Sequence, residues 1–396
     1  MPSFDHAAAC DSAAKILQEL VRLPSVNPGL VTGASGEAEI AEYICELMRA
    51  WGLEVIKSEA APGRYNAIGI LRGAGGGRTL LFNGHTDTVG VEGMAEPFSG
   101  EMRDGKLYGR GAFDMKGSLA ATLAAVQALA QSPRRLRGDV IFTFVADEEY
   151  TSRGTESIVA DTRREGGRLP RPAAAINTEP TGLQLGVSHK GFAWIEIETT
   201  GKAAHGSRPD LGVDAIVHMG HVLVEIERWQ EKLSHGRRHP RLGAGSVHAS
   251  LIQGGRELSS YPDHCRLHVE RRTAPPETEQ DVAGEVSQML EGLKRKVSGF
   301  QAASRITFAR NAWQADPQSD IVKALSQSVQ NVLGRAPEMT GFPFWMDTAL
   351  LGDAGIPSVV FGPEGEGAHA VVEWVDVDSL GVCAQVYADL IERFCG

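Results

Sequence analysis

Leu80-Leu81-Phe82-Asn83-Gly84-His85-Thr86-Asp87-Thr88-Val89, followed by Gly109-Arg110-Gly111-Ala112-Phe113-Asp114-Met115-Lys116-Gly117, decides how this 396-residue chain is read. The first run starts apolar and ends in glycine and polar residues. That is the pattern of a strand covered on both faces, and the ligand sites of such sheets lie beyond the strand ends. His85 and Asp87, two apart on an extended segment, share a face. The spacing suits a metal-bound imidazole whose other nitrogen is steadied by a carboxylate. It suits an ordinary hydrogen-bonded loop pair as well, so the remaining sequence has to decide.

Outward from that stretch, helical spacing marks residues 7–22 and 37–51, the second closed by Gly52. Strands are expected at about 53–58, 66–72, 79–84, 139–145 and 173–176, with a helix at about 117–131. This alternation predicts an α/β domain, a largely parallel sheet flanked by helices. Near residue 187 the pattern changes. Trp194-Ile195-Glu196-Ile197-Glu198-Thr199 alternates as a strand with one wet face does, amphipathic helices follow at about 212–233 and 277–295, and further strands at about 245–252, 264–271 and 304–309. Strand-helix-strand-strand-helix-strand order makes a small α+β domain with helices on one face of an antiparallel sheet. Past residue 312 the first character returns, with a helix at 318–333, a strand at 358–361 and a helix at 376–394. The expected organisation is one domain of residues 1–186 and 312–396 with a second, 187–311, inserted, in keeping with a length beyond the usual single-core limit.

Composition narrows the function. Lys plus Arg number 39 against 50 Asp plus Glu, a formal charge of -11, which argues against nucleic acid as a partner. Arg237, Arg238, His239 and Arg241 read as a basic, solvated loop. No apolar run is long enough to span a membrane, and Met1-Pro2-Ser3-Phe4-Asp5-His6 lacks the basic and apolar regions of a signal peptide, so the expected location is cytoplasmic. Five scattered cysteines without Cys-x-x-Cys spacing indicate neither a disulfide framework nor a thiolate zinc site. A metal bound at the strand ends must therefore sit on nitrogen and oxygen.

Those donors recur at successive strand ends: His85 with Asp87, Glu148 with Glu149, and Glu179, with Asp114 in a glycine-bounded loop and His369 after the strand at 358–361. Singly each has a plain reading, as an exposed turn, a helix cap before Pro180 or a loop histidine. Together they resist it. Adjacent buried glutamates raise one another's pKa or require a cation, and an unpaired buried charge costs several kcal/mol.

With these residues in view, the chain resembles the zinc-dependent aminoacylase, acetylornithine deacetylase, succinyl-diaminopimelate desuccinylase and glutamate carboxypeptidase family of co-catalytic metallohydrolases, from about residue 12 to 392. The resemblance rests on Gly84-His85-Thr86-Asp87-Thr88-Val89, on Gly109-Arg110-Gly111 through Asp114-Met115-Lys116-Gly117, on Glu148-Glu149 and on Glu179-Pro180-Thr181. It implies a zinc-peptidase-like fold whose inserted domain is a lid and dimerisation domain. It implies two divalent cations, Zn2+ with Co2+ or Mn2+ as alternatives, bridged by Asp114, one completed by His85 and Glu179 and the other by Glu149 and His369. Glu148 would then be the general base toward a metal-activated water, and Asp87 would orient His85. A cis peptide between Asp114 and Met115 is also implied. In Gly201-Lys202-Ala203-Ala204-His205-Gly206-Ser207-Arg208-Pro209, His205 matches the lid histidine that stabilises the oxyanion, often supplied across a homodimer. Glu270-Arg271-Arg272-Thr273-Ala274-Pro275 matches the lid strand whose arginine holds a substrate carboxylate. Neighbours on a strand face opposite ways, so one of the two arginines serves, and Arg272 is favoured.

The sequence also departs from the family. Ser259 stands where relatives commonly place an asparagine that helps bind substrate, and Phe344-Trp345-Met346-Asp347-Thr348 replaces a smaller glycine-containing stretch, leaving Asp347 and Thr348 matched. Trp345 fits an apolar acyl pocket or ordinary core packing. The reaction implied is hydrolysis of the amide of an N-acyl amino acid. A dipeptidase or carboxypeptidase with the same metals is the alternative within the enzyme class. A metal-dependent binding protein that has lost catalysis is the alternative outside it, and it would usually lack a base or a ligand, whereas none is missing here.

Overall fold

In a computed structural model of the protein, residues 5–132 and 135–396 are described; residues 1–4, part of the stretch read as lacking a targeting segment, lie outside them. The chain divides into two compact units, one comprising the chain up to Val187 with Ala315–Thr340 and Met346–Gly396, the other Ser188–Gln314 with Gly341–Trp345.

The sheet of the first unit runs in the order Glu54–Ala61, Arg64–Leu71, Val140–Val145, Leu80–His85, Ala174–Asn177, Ser358–Val360, and then the strand Leu185–His189, whose first three residues belong to this unit. Its four middle strands are mutually parallel, in the registers Leu80↔Val140, Leu80↔Ala174 and Ser358↔Ala175. Strands on either flank are antiparallel. Parallel strands bring equivalent ends to one edge, so the residues that follow His85, Val145, Asn177 and Val360 emerge side by side. Side chains alternate between faces. Leu81, Ile141 and Ala175 pack with Ile158 and Leu351 of the helices Arg153–Arg163 and Thr348–Asp353. Phe82 stacks with Phe142 and with Tyr387 of the helix Val377–Cys395 on the other face. Both faces are thus covered, which is why these strands read as unbroken apolar runs.

Some elements have no counterpart in the sequence reading. The helix Arg153–Arg163 is largely polar, with Arg, Thr, Glu, Ser and Asp, and its apolar stripe is thin. A separate small sheet in the order Gly365–Glu366, Trp374–Asp376, Lys106–Tyr108, Glu101–Arg103 uses strands of two or three residues, too short to show a period of two.

In the second unit the antiparallel order is Ser246–Gly254, His264–Thr273, Gly191–Thr200, Gln301–Arg310. Ala193, Ile195, Ile197, Cys265, Leu267 and Val269 point one way, onto Met219, Val222 and Ile226 of the helix Ala215–His235 and Val282, Val286 and Leu290 of the helix Glu279–Lys296. The second helix starts in a Thr278–Asp281 capping box, which satisfies two otherwise orphaned backbone donors. The opposite sheet face carries Phe192, Trp194 and Phe308, with ring centroids 5.2–5.9 Å apart. Arg237 and Arg238 are exposed as expected. His239 is instead buried, because its Nδ1 accepts from the backbone N–H groups of Arg241 and Leu242 at 3.2 and 3.1 Å and closes the loop. Among the described residues no helix is long and apolar enough to cross a membrane.

Candidate metal centre

Gly84 lets the strand Leu80–His85 deliver its histidine: a Cβ there would lie 2.7 Å from a Leu119 methyl and from Thr178 Oγ1. His85 Nε2 lies 3.2 Å from Asp114 Oδ1 and 3.6 Å from Glu179 Oε1. The other carboxylate oxygen of Asp114 lies 3.4 Å from His369 Nε2, which is 3.0 Å from Glu149 Oε2. Two donor groups result, His85-Asp114-Glu179 and Asp114-Glu149-His369, each with its ligand atoms within 4.8 Å of one another. Asp114 belongs to both. Glu148 belongs to neither, its Oε2 standing 3.9 Å from His85 Nε2. His85, Glu179 and Glu149 are nearly closed to solvent, whereas the His369 side chain is 57% exposed, so the centre opens on its side.

Charge is crowded here. Burial raises the carboxyls of Glu148 and Glu149, and takes Glu179 up to about 8, with neighbouring carboxylates adding to the effect. Burial would lower His85, yet Glu179, Asp114 and Glu148 raise it well above its ordinary value. Burial would raise Asp114, yet hydrogen bonds from His369 and His85 hold it well below the usual carboxylate range. His369, bonded to Asp114 and Glu149, is taken up to about 10. Protons here play the part of cations. Divalent ions would let every carboxylate ionise and both imidazoles be neutral, and an all nitrogen-and-oxygen donor set suits Zn2+, Co2+ or Mn2+. The residues present therefore fit a pair of such ions.

A second layer of contacts holds these side chains. His85 Nδ1 lies 2.9 Å from the main-chain oxygen of Asp87 and 3.6 Å from its carboxylate, so the carbonyl makes the contact with the ring. The Asp87 carboxylate instead accepts from Asn27 Nδ2 at 2.7 Å and from the backbone N–H groups of Glu148 and Glu149 at 3.1 and 3.2 Å. Arg64, paired with buried Glu37 and Asp147, backs that turn, and Asp147 has a φ of 72°. Sequence reasoning missed Glu373. This buried carboxylate accepts from Phe113 N and Asp114 N at 2.9 Å each on one oxygen, and from Arg110 Nη1 at 2.6 Å and Gly111 N at 3.1 Å on the other. Gly111 reaches that bond with φ 82°, a conformation natural to glycine. Lys116, also missed, is fully buried and donates to Leu20 O and Leu23 O at 2.9 and 2.8 Å; burial lowers it to about 7. An acid in the apolar run Val371-Val372-Glu373-Trp374 was the available signal for Glu373. The Asp114–Met115 peptide is cis.

Asp347 lies in the same unit as the cluster, buried, and accepts from Thr155 Oγ1 at 2.5 Å. The remaining candidates lie in the second unit. His205 is exposed, and its Nδ1 accepts from Ser207 N at 3.2 Å. Ser259 is exposed beside it, its carbonyl accepting from Gly206 N at 2.7 Å. Arg271 is fully buried on the helix-facing side, paired with Glu277 and Glu285. Arg272 is half-buried on the other side, with Nε 2.6 Å from Glu270 Oε1 and its guanidinium over the Phe192 ring. The half-buried Trp345 packs edge-on to His189 and Phe192.

Residues 81–393, which include every ligand-type residue of the cluster, match Peptidase family M20/M25/M40. An acetylornithine deacetylase of Myxococcus xanthus is 29% identical over 392 residues, 96% of this chain and 97% of that protein. An N-formyl-4-amino-5-aminomethyl-2-methylpyrimidine deformylase of Bacillus subtilis (strain 168) is 29% identical over 385 residues, 90% and 88% of the two chains. The fold is shared with the Bacillus subtilis YXEP protein, a dinuclear metal-binding peptidase of the M20 family, at a TM-score of 0.76 and 19% identity over 98% and 99% of the chains.

Proposed function

The chain belongs to peptidase family M20/M25/M40 and is a hydrolytic enzyme, and on that premise we propose that it hydrolyses the amide bond of an N-acyl amino acid. One observation carries this reading: Asp114 offers one oxygen beside His85 and the other beside His369, while Glu148 is left out of both donor groups. His85, Asp114 and Glu179 would hold one cation and Asp114, Glu149 and His369 the other, most simply Zn2+, with Co2+ or Mn2+ able to substitute. Bound there, such a pair supplies Lewis acidity toward the amide carbonyl and lets water lose a proton near neutral pH.

The chain's own residues do the rest. Glu148, in a largely desolvated position, takes the proton of the attacking water on its carboxylate and returns it to the departing nitrogen. Asp87 holds the backbone of Glu148 and Glu149. His205 accepts at Nδ1 from a backbone N–H, so its neutral form carries the proton on Nε2, ready to donate to an oxyanion. Arg272 would take the substrate carboxylate through a two-bond contact, with Ser259 and Asp347 as further substrate-side residues. A homodimer through the second unit is part of the proposal. The edge strand Ser246–Gly254 exposes Leu251 and Ile252, and the helix Ala215–His235 that packs on it exposes Val217 and Val224; a strand edge with an apolar flank favours a second copy. The five free thiols match the reducing cytoplasm.

A dipeptide offers the same amide and the same carboxylate, so a dipeptidase is the second reading, and a panel of acyl amino acids against dipeptides separates the two. The aromatic face formed by Phe192, Trp194 and Phe308, together with the deformylase relative, puts aromatic amides in that panel. The direct test of the mechanism is Glu148→Gln. Metal content stays at the wild-type level and turnover falls by about 10²–10⁴-fold. Near wild-type turnover in this variant would remove Glu148 from the role.

A further inference from the structure

The first unit holds one more gathering of ligand-type side chains among the described residues, apart from the hydrolytic centre. His6 and Cys10 lie four residues apart on the helix His6–Arg22 and so on one face, and Asp378 lies in the first turn of the helix Val377–Cys395. His6 Nε2 is 2.8 Å from Asp378 Oδ1 and 3.5 Å from Cys10 Sγ. One ligand atom from each of the three falls within 4.8 Å of the others. Two features go beyond an ordinary ion pair. His6 Nδ1 has its own partner, Gln385 Oε1 at 3.0 Å, so Nε2 is the nitrogen turned toward sulfur and carboxylate. That outer contact is what fixes a metal-binding imidazole. Gly381 faces the thiol, and a Cβ there would lie 2.2 Å from Cys10 Sγ. The missing side chain makes the room the sulfur occupies.

We propose that His6, Cys10 and Asp378 form a separate site for a divalent cation of the zinc type, which ties the start of the first helix to the start of the last. Thiolate, imidazole and carboxylate together suit Zn2+, with water in the fourth position on the exposed side. Tetrahedral bonds of about 2.0–2.3 Å put donor atoms roughly 3.3–3.8 Å apart. The nitrogen-to-sulfur separation already has that value. The exposed Asp378 carboxylate has to draw back by about half an ångström to reach it. Binding releases the thiol proton and needs Nε2 unprotonated, while the Nδ1 proton stays on the bond to Gln385.

The test uses the full chain with its hydrolytic centre already loaded. Cys10 is half-buried and the other four cysteines are buried, so a thiol reagent on the folded protein reports on Cys10. Added Zn2+ is expected to slow that reaction roughly tenfold or more at saturation, and Cd2+ to give a sulfur-to-metal charge-transfer absorption. Cys10→Ser removes the absorption and binds one zinc fewer than wild type. His6→Ala and Asp378→Asn keep the thiol reactive and lose the protection. Hydrolytic activity stays at the wild-type level in all three variants. A thiol that reacts equally fast with and without Zn2+, or protection that survives in both His6→Ala and Asp378→Asn, overturns the proposal.

Discussion

Glu148, half-buried, and Glu373, fully buried, are glutamates with opposite surroundings. Among the described residues the one ion-pair partner of Glu148 is the imidazole of His85, at 3.9 Å, so its carboxylate stays available for a proton. Glu373 has all its acceptor capacity taken by Arg110 and three backbone N–H groups that lead into Asp114. Glu373→Gln keeps the shape but sets an NH2 against donors. Metal affinity in a chelator competition is expected to fall about 10–100-fold, as for other partners of ligand groups; an unchanged competition curve would make Glu373 a packing residue only. His189 gives a pH test in the second unit. Burial pushes it down to about 4, with Nδ1 on Lys190 O. A depressed imidazole is neutral in the folded state while the unfolded chain takes up a proton below about 6.5, so stability is full above that pH and declines as pH falls toward 4, by roughly 3 kcal/mol. Thermal unfolding of wild type and His189→Phe across that range measures it, and the variant's midpoint is expected to fall less steeply. The candidate ligand residues were legible because His, Asp and Glu gathered beside glycine at successive strand ends have, together, few plain explanations. Glu373 and Lys116 were not, because their partners are backbone groups, which a sequence does not display.

At the scale of the element, the centre depends on the parallel pairing of Val140–Val145, Leu80–His85, Ala174–Asn177 and Ser358–Val360. These strands were readable as apolar runs, since helices cover both faces. The two-residue and three-residue strands around Trp374–Asp376 were not, because they owe their existence to pairing across the chain. Helix ends give a plain check on the second unit. Thr278→Ala removes one half of the capping box, and denaturant unfolding is expected to show a loss of about 1 kcal/mol. The edge strand Ser246–Gly254 provides the other check. Leu251→Lys puts a charge on a side chain that is 68% exposed, so the monomer's stability is expected to be little changed while the dimer proposed above dissociates in sedimentation. A dimer that persists would move the contact elsewhere.

At the scale of the molecule, the change from unbroken apolar strands to alternating ones was the sequence's signal for a second segment, because a sheet with helices on one face needs only every second residue apolar, but it gave no sign that Gly341–Trp345 would pack with that segment. Substrate identity was not marked in that way, since Ser259, Arg272 and Trp345 take their meaning from neighbours remote in sequence. What unites the first unit is a single aspartate serving two donor groups. The measurement that tests this most directly is the metal retained per chain, compared with wild type, in His85→Ala, His369→Ala and Asp114→Asn prepared side by side. Each histidine variant is expected to lose one equivalent, whereas Asp114→Asn loses both. An Asp114→Asn protein that gives up no more metal than either histidine variant would contradict the shared carboxylate, and with it the two-cation centre.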